Sequence, residues 1–410
     1  MPTHARQPEL DLLVEVASIP TAAGKEQRVE KYIRAWAQRN AFGISADKAG
    51  NLVIASRHSA EASRAGAAAP APLYITAHMD HPAFVVERII GPGTVELSFR
   101  GGVNETFFHN APIHLHLRDD SVLRGVLVGD AGQSSALGKH YLAEVGGEDG
   151  GDARRIEVGD IATWALAPAE IRESVLHAPA CDDLAALAAA LAAFAALYAQ
   201  PDFHGDVRLL FTRAEEIGFI GAIAACKVKT MPSGSRIIAL ENSRAFADSP
   251  LGAGPIVRVG DRLSIFTPWL TAACAQRAEE IFGGAASPRA SESASSASKR
   301  PWQRKLMSGG ACEASVFCAA GYDATCICLP LGNYHNMPHL DLHQAGTYDS
   351  AALGPARCAR EFIHIDDYLG MIDLLVALGR DIPGGAGIWG RMEKLYAEKQ
   401  SVLELPATAK

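Results

Sequence analysis

Residues 182–212, DDLAALAAALAAFAALYAQPDFHGDVRLLFT, contain two elements that decide the fold class. The first part is rich in alanine and leucine, which predicts a helix of about four turns. The part from Asp206 to Thr212 is a short apolar run, which predicts a buried strand. A helix that leads into such a strand is the repeating unit of α/β folds with a mostly parallel sheet.

The same alternation extends along the chain on both sides of this stretch. Strands are predicted at NLVIAS (51–56), PLYITAHMD (72–80) and RIIALEN (236–242), and helices at 8–40, 217–226 and 268–282. We therefore expect an α/β domain with a mostly parallel or mixed sheet and helices on both of its faces.

Residues 84–166 have a different pattern. Short runs of alternating apolar and polar residues are separated by Gly, Asn and Asp turns, which is typical of a small all-β module. We therefore expect an inserted β-barrel domain at 84–175, which divides the α/β domain into residues 1–83 and 176–410. In the second part, residues 283–300 are rich in Ser, Ala and charge, which predicts a mobile surface loop.

Composition excludes several classes of protein. The 410 residues carry a net charge of −8, which argues against nucleic acid or an anionic membrane as a partner. The sequence has neither an apolar run long enough to span a membrane nor a signal-peptide pattern, so we expect a cytoplasmic protein. The eight cysteines lack Cys-x-x-Cys spacing, which argues against a thiolate zinc site or a disulfide framework.

Polar side chains follow three of the predicted strands. His78 and Asp80 end PLYITAHMD, Glu215 and Glu216 follow DVRLLFT, and Glu241 ends RIIALEN. A strand-end histidine can bind a metal while a nearby carboxylate orients it, and one of two adjacent glutamates can coordinate while the other moves a proton. The alternative is structural: a capping aspartate and a solvated acidic helix start.

Two further groups flank the remaining elements. Asp182 and Asp183 precede the alanine-rich helix, where a carboxylate either caps the helix or bridges two cations. His335 lies in the loop PLGNYHNMPH (330–339), which we expect at the carboxyl edge of the sheet, where open α/β folds place their sites. Together, two histidines and three carboxylates suit a pair of divalent cations such as zinc, cobalt or manganese. The spare glutamate makes such a site hydrolytic.

The order His-x-Asp, Asp-Asp, Glu-Glu-x-Gly-x-x-Gly, an acidic residue and then His resembles the co-catalytic di-zinc aminopeptidases. The β module lies between His78 and Asp182, as it does in metallopeptidase family 42, the tetrahedral and glutamyl aminopeptidases. The segments GPIVRVGD (254–261) and SGGACEASVF (308–317) are similar to segments of that family, and EFIHIDDYLGMIDLL (361–375) is similar to its final helix region.

The resemblance implies two metal-binding sets that share Asp182 as a bridge. One set adds His78 and Glu241, and the other adds Glu216 and His335. It further implies a homo-oligomer, from dimer to dodecamer, that hydrolyses the N-terminal residues of peptides with two divalent metal ions, zinc above all.

The resemblance also implies that Glu215 is the general base, which takes a proton from a metal-bound water molecule. It further implies that Asp80 orients His78. Glu241 and Glu313 depart from the family pattern, which usually has aspartate at both positions. Two other functions fit the same fold. One is a metal-dependent deacylase or amidohydrolase of small N-acyl amino acids, and the other is a non-catalytic binding protein.

Overall fold

The computed structural model describes residues 6–56, 71–146, 152–285, 301–384 and 386–403. Most of the loop expected at 283–300 lies outside these residues. The helices are α1 (Gln7–Val16), α2 (Gln27–Arg39), α3 (Leu184–Tyr198), α4 (Ile220–Val228), α5 (Pro268–Phe282), α6 (Glu313–Ala319), α7 (Leu340–Gln344), α8 (Ser350–Leu353), α9 (Ile365–Arg380) and α10 (Ala386–Lys399).

The strands form one large sheet, one small sheet and one barrel. They are β1 (Gly43–Ala46), β2 (Leu52–Ala55), β3 (Leu73–His78), β4 (Ala83–Gly91), β5 (Thr94–Arg100), β6 (Pro112–His116), β7 (Val122–Ser135), β8 (Gly138–Val145), β9 (Ile161–Trp164), β10 (Glu170–Arg172), β11 (Val175–Ala178), β12 (Val207–Thr212), β13 (Arg236–Arg244), β14 (Ile256–Asp261), β15 (Gln303–Met307), β16 (Asp323–Leu331) and β17 (Glu361–His364).

The large sheet is mixed, as the sequence predicts. Its eight strands follow the order β1-β2-β12-β3-β13-β16-β14-β15. The four central strands β12, β3, β13 and β16 are parallel to their neighbours within this group, so their carboxyl ends meet at one edge. The register pairs Thr212 with His78, which brings the two strand ends, and the side chains that follow them, to the same level.

Helices cover both faces of this sheet, which confirms the predicted layers. On one face α3 packs against α1, α9 and β3. Its alanines and leucines are almost all buried, and each buried leucine contributes about 1.5–3 kcal/mol to folding. On the other face α4 and α6 contribute Ala222 and Phe317 to a smaller cluster with Tyr74 and Leu210. Packed helices therefore cover both faces of the sheet.

The inserted module is a closed barrel with the strand order β4-β5-β8-β7-β6-β9. Its interior is filled by aromatic rings, among them Phe84, Phe99, Phe108 and Trp164, which contact one another mainly edge to face. Side chains alternate along barrel strands, so that Ile113 and Leu115 of β6 point inward while His114 between them faces outward.

Among the described residues, the structure has no helix that is long and apolar enough to cross a membrane. The third group of strands, β10-β11-β17, forms a small antiparallel sheet. In this sheet EFIH (361–364), expected as part of the final helix region, is a strand that pairs with β11, and α9 begins only at Ile365. A further helix, α10, follows it.

Candidate metal centre

The predicted site residues converge at the carboxyl edge of the central strands. β3 ends at His78, β13 carries Glu241, and Glu215 and Glu216 follow β12. The loop before α3 carries Asp182, and the loop after β16 carries His335. All six lie in one buried cluster, since the sheet brings together chain segments that are far apart in sequence.

Asp182 lies between the two histidines. Its Oδ1 is 3.4 Å from Nε2 of His78, and its Oδ2 is 3.4 Å from Nε2 of His335. Nε2 of His335 is also 3.5 Å from Oε1 of Glu216. Two ligands of one tetrahedral zinc ion, each about 2.0–2.1 Å from it, are about 3.4 Å apart. The spacing therefore fits a cation on each side of the Asp182 carboxylate.

The donor atoms are also unpartnered within the part of the chain that the structure describes. Oδ1 of Asp182 and Oε1 of Glu216 are buried and accept no hydrogen bond. A buried carboxylate oxygen without a partner costs free energy, which a bound cation would offset. Two ligand groups have their atoms within 4.8 Å of one another: His78 with Asp182 and Glu216, and His78 with Glu215 and Glu241. The donor set thus fits divalent metal ions.

The grouping of Glu241 differs in one respect from the set that the resemblance implies. Glu241 is gathered with His78 and Glu215, and the described residues show no ligand group that joins it to Asp182. Its longer side chain brings its carboxylate close to the expected general base. The assignment of Glu241 to the metal bridged by Asp182 stays a prediction.

The pKa shifts of these side chains are those expected where several carboxylates are buried close together. Burial raises the pKa of Glu215 well above its ordinary value, although His78 opposes the shift, and burial raises the pKa of Glu216 to about 7. Burial alone would lower the pKa of His335, but Glu216 and Asp182 outweigh it and raise that pKa to about 9. Burial, together with the charges of Asp182 and Glu215, raises the pKa of Glu241 well above its usual range.

Asp80 holds both glutamates through their main chain. Its Oδ1 accepts the N–H of Glu215 at 3.0 Å, and its Oδ2 accepts the N–H of Glu216 at 3.0 Å. Its main-chain carbonyl, 3.1 Å away, accepts Nδ1–H of His78, whereas its carboxylate is 3.6 Å from that nitrogen. Asp80 is thus placed to orient His78 and also to fix the direction in which the two glutamates leave the strand.

Three positioning groups lie outside the predicted set. Glu361 accepts the N–H of His335 at 2.8 Å and that of Asp182 at 3.0 Å. His81 donates through Nδ1 to the carbonyl of Asp182 at 2.5 Å. The carbonyl of Gly102, in the loop after β5, accepts Nδ1–H of His335 at 2.7 Å, which leaves Nε2 free to face a metal.

A cavity of about 620 Å³ begins at Glu241. Three basic side chains line it: Arg244, Arg258 and Lys305. Arg244 pairs with Asp341 and Lys305 pairs with Asp248. Arg258 is buried, its Nη1 donates to Ser243 at 3.1 Å, and its Nε has no hydrogen-bond partner among the described residues.

Comparisons with known proteins agree with this architecture. A solved aminopeptidase, APDkam598 from the archaeon Desulfurococcus kamchatkensis, has a TM-score of 0.68 and 20% identity, and the match covers 92% of this chain and 95% of that one. A TET aminopeptidase from the marine sediment archaeon Thaumarchaeota archaeon SCGC AB-539-E09 has a TM-score of 0.70 and 16% identity over 92% and 97% of the chains.

The TET1 peptidase of Pyrococcus horikoshii, described as able to assemble into a tetrahedron or a large octahedral shell, has a TM-score of 0.67 and 17% identity. That match covers 91% of this chain and 99% of the other. A comparison with curated protein sequences finds no match. At these identities the structural matches show the shared fold alone.

The fold is shared with solved aminopeptidases, and the chain is a peptide-hydrolysing enzyme. The M42 glutamyl aminopeptidase family matches residues 59–281, which is more than half of the chain. The chain therefore belongs to the M42 peptidase family, a family of metal-dependent enzymes.

Proposed function

We propose that this protein is a metal-dependent aminopeptidase that removes N-terminal residues from peptides. The observation that carries the proposal is the position of Asp182, whose two carboxylate oxygens each lie 3.4 Å from a different histidine. A carboxylate between two imidazoles fits a pair of divalent cations, with zinc favoured by the mixed nitrogen and oxygen donors.

The residues that would hold the metals are His78, Asp182, Glu216, Glu241 and His335. When bound, the cations would polarise the scissile carbonyl and lower the pKa of a water molecule. Asp182 would bridge them, and Glu361 and Gly102 would hold Asp182 and His335 in place.

Glu215 is the proposed general base. It is buried beside His78, with Oε2 at 4.0 Å from Nε2 of that histidine, and its main chain is held by Asp80. A buried glutamate whose pKa is raised can accept a proton from water and return it to the leaving amine. The cavity that begins at Glu241 would take the side chain of the N-terminal residue.

The proposed activity is tested with one short peptide in two forms, with a free and with an acetylated N-terminus. Metal-loaded protein should cut only the free form, with about two metals per chain, and Glu215→Gln should lose that activity while it keeps its metals. Glu144→Gln, on the exposed side of β8, is the matched control and should keep full activity. Cleavage of the acetylated form alone would establish the deacylase instead, and metal binding without turnover of either form would favour a binding protein.

Assembly and compartment are also proposals. The TET1 peptidase that shares the fold can assemble into a tetrahedron or a large octahedral shell, and on that basis we propose that this chain forms a homo-oligomer, from dimer to dodecamer. Light scattering of the purified protein should give a mass of at least two chains, and a monomer would refute this. A cytoplasmic location stays a prediction from the sequence, which cell fractionation can check.

A further inference from the structure

A second cavity, of about 460 Å³, lies between the barrel and the loops next to the metal centre. Its wall includes the loop after α1 (18–21), strands β6, β7 and β9, and the loop before α3 (179–180). None of the proposed metal ligands lines it, and neither does Glu215. Its volume is typical of a small-molecule site.

The barrel side of this cavity carries a row of polar side chains. His114 of β6 is paired directly with Arg124 of β7 on one side and with Thr163 of β9 on the other. Directly paired residues on neighbouring strands point to the same face of a sheet. His116 lies two residues beyond His114 and therefore shares this face, so that all four side chains line one wall.

The polar side chains of this wall are basic or neutral. Arg124 and three histidines, His81, His114 and His116, line the cavity, and no aspartate or glutamate does, although the protein has a net charge of −8. The described residues give the Arg124 guanidinium neither a hydrogen bond nor an ion pair. Burial and the charge of Arg124 lower the pKa of His114, so this histidine is neutral and the positive charge between the two strands is that of Arg124.

The guanidinium of Arg124 and a ring N–H of His114 can donate hydrogen bonds into the cavity. Much of the remaining wall is apolar, with Ile19, Val122 and Leu166 among its members. The occupant therefore needs both acceptor oxygens and an apolar body.

We propose that this cavity binds a small organic carboxylate, with its carboxylate at Arg124 and His114 and its apolar body against the apolar wall. An amino acid with a blocked amine has the required size and chemistry. The site is separate from the proposed metal ligands, so binding there needs no metal, and the proposal stands independently of the proposed peptidase activity.

The test is calorimetric titration of chelated full-length protein with N-acetylleucine and, separately, with N-acetylleucinamide, which lacks the negative charge. Chelation excludes binding through metal. We expect one molecule of the acid to bind per chain and the amide to bind at least tenfold more weakly. Equal binding of the two, or no binding of the acid at millimolar concentration, would overturn the proposal.

Two variants assign the binding to this cavity. Arg124→Gln should weaken binding of the acid at least tenfold, because it removes the exposed guanidinium and leaves the barrel interior intact. Arg118→Gln, at an exposed site that does not line the cavity, is the matched control and should bind like the unchanged protein. Equal loss in both variants, or none in Arg124→Gln, would refute the assignment. Displacement by an equal concentration of inorganic phosphate would refute the need for an apolar body.

Discussion

One carboxylate oxygen of Glu361 accepts the main-chain N–H of Asp182 at 3.0 Å. The other oxygen accepts the N–H of His335, so a single buried carboxylate fixes the two loops that carry these proposed ligands. The strand β17 that carries Glu361 thus supports the proposed metal centre, although it belongs to the small sheet and not to the large one.

Glu361→Gln should weaken metal binding 10- to 100-fold, which is typical for loss of a group that orients metal ligands. The amide nitrogen of glutamine cannot accept an N–H, so the two loops lose part of their shared support. Metal titration of the chelated variant measures the change, and Glu144→Gln is again the control. Unchanged affinity in a folded variant would show that Glu361 has a structural role only.

Metal removal should lower the thermal stability of the protein. The buried carboxylates of Asp182, Glu215, Glu216 and Glu241 lie within one cluster, and bound cations would offset their repulsion. A ligand at 100 times its Kd stabilises the folded state by about 2.7 kcal/mol. The unfolding midpoint should therefore rise when zinc is added back to chelated protein, and Asp182→Asn should abolish most of that rise.

The cavity that begins at Glu241 predicts a preference among N-terminal residues. The buried guanidinium of Arg258, with its unpartnered Nε, should favour a peptide whose first residue carries a carboxylate. Arg258→Met should lower kcat/KM for such a peptide at least tenfold relative to a peptide that begins with leucine. The exposed Arg262→Met is the control. If Arg258→Met does not fold, Lys305→Met at the same cavity tests the preference.

Stability should fall in acid because of one histidine in the barrel. Burial, together with the nearby charge of Arg28, lowers the pKa of His116 to about 3. The unfolded chain takes up this proton below about pH 6.5, whereas the folded protein does so only near pH 3. The free energy of unfolding therefore includes the contribution of His116 above pH 6.5 and loses it as the pH falls.

Between pH 7 and pH 5 the loss from His116 should be about 2 kcal/mol. His116→Gln has no such proton, so its free energy of unfolding should change less over this range than that of the unchanged protein. Denaturant unfolding at the two pH values measures the difference. An equal loss in both proteins would contradict the assignment to His116.

The architecture was predictable because its pattern is local and repeated. The all-buried strand β3 and the alanine-rich helix α3 are evident from their composition, and the switch to short alternating runs marks the barrel. The predicted central strands end at one edge of a parallel sheet, which is why His78 and Glu216 could be expected together. The residue types and the topology carried that part of the prediction.

The positioning groups could not be predicted in the same way. Glu361 begins a segment that is similar to the final helix region of the family, and nothing in its neighbours signals a buried carboxylate. His81 and Gly102 act through contacts with Asp182 and His335, which are distant in sequence. Gly102 contributes a main-chain carbonyl, which every residue type has, so the residue type at this position carries no information about the contact. Only the assembled tertiary structure reveals such contacts.

The contact between Gly102 and His335 has a consequence for how this chain can be rebuilt. The hydrogen bond joins the loop that leaves β5 of the barrel to the loop after β16 of the large sheet. The barrel therefore cannot be deleted, or replaced by another module of equal length, without the loss of this hydrogen bond. A substitute would also have to present one carbonyl oxygen at the same place, or the imidazole opposite would lose the tautomer it needs to bind a cation.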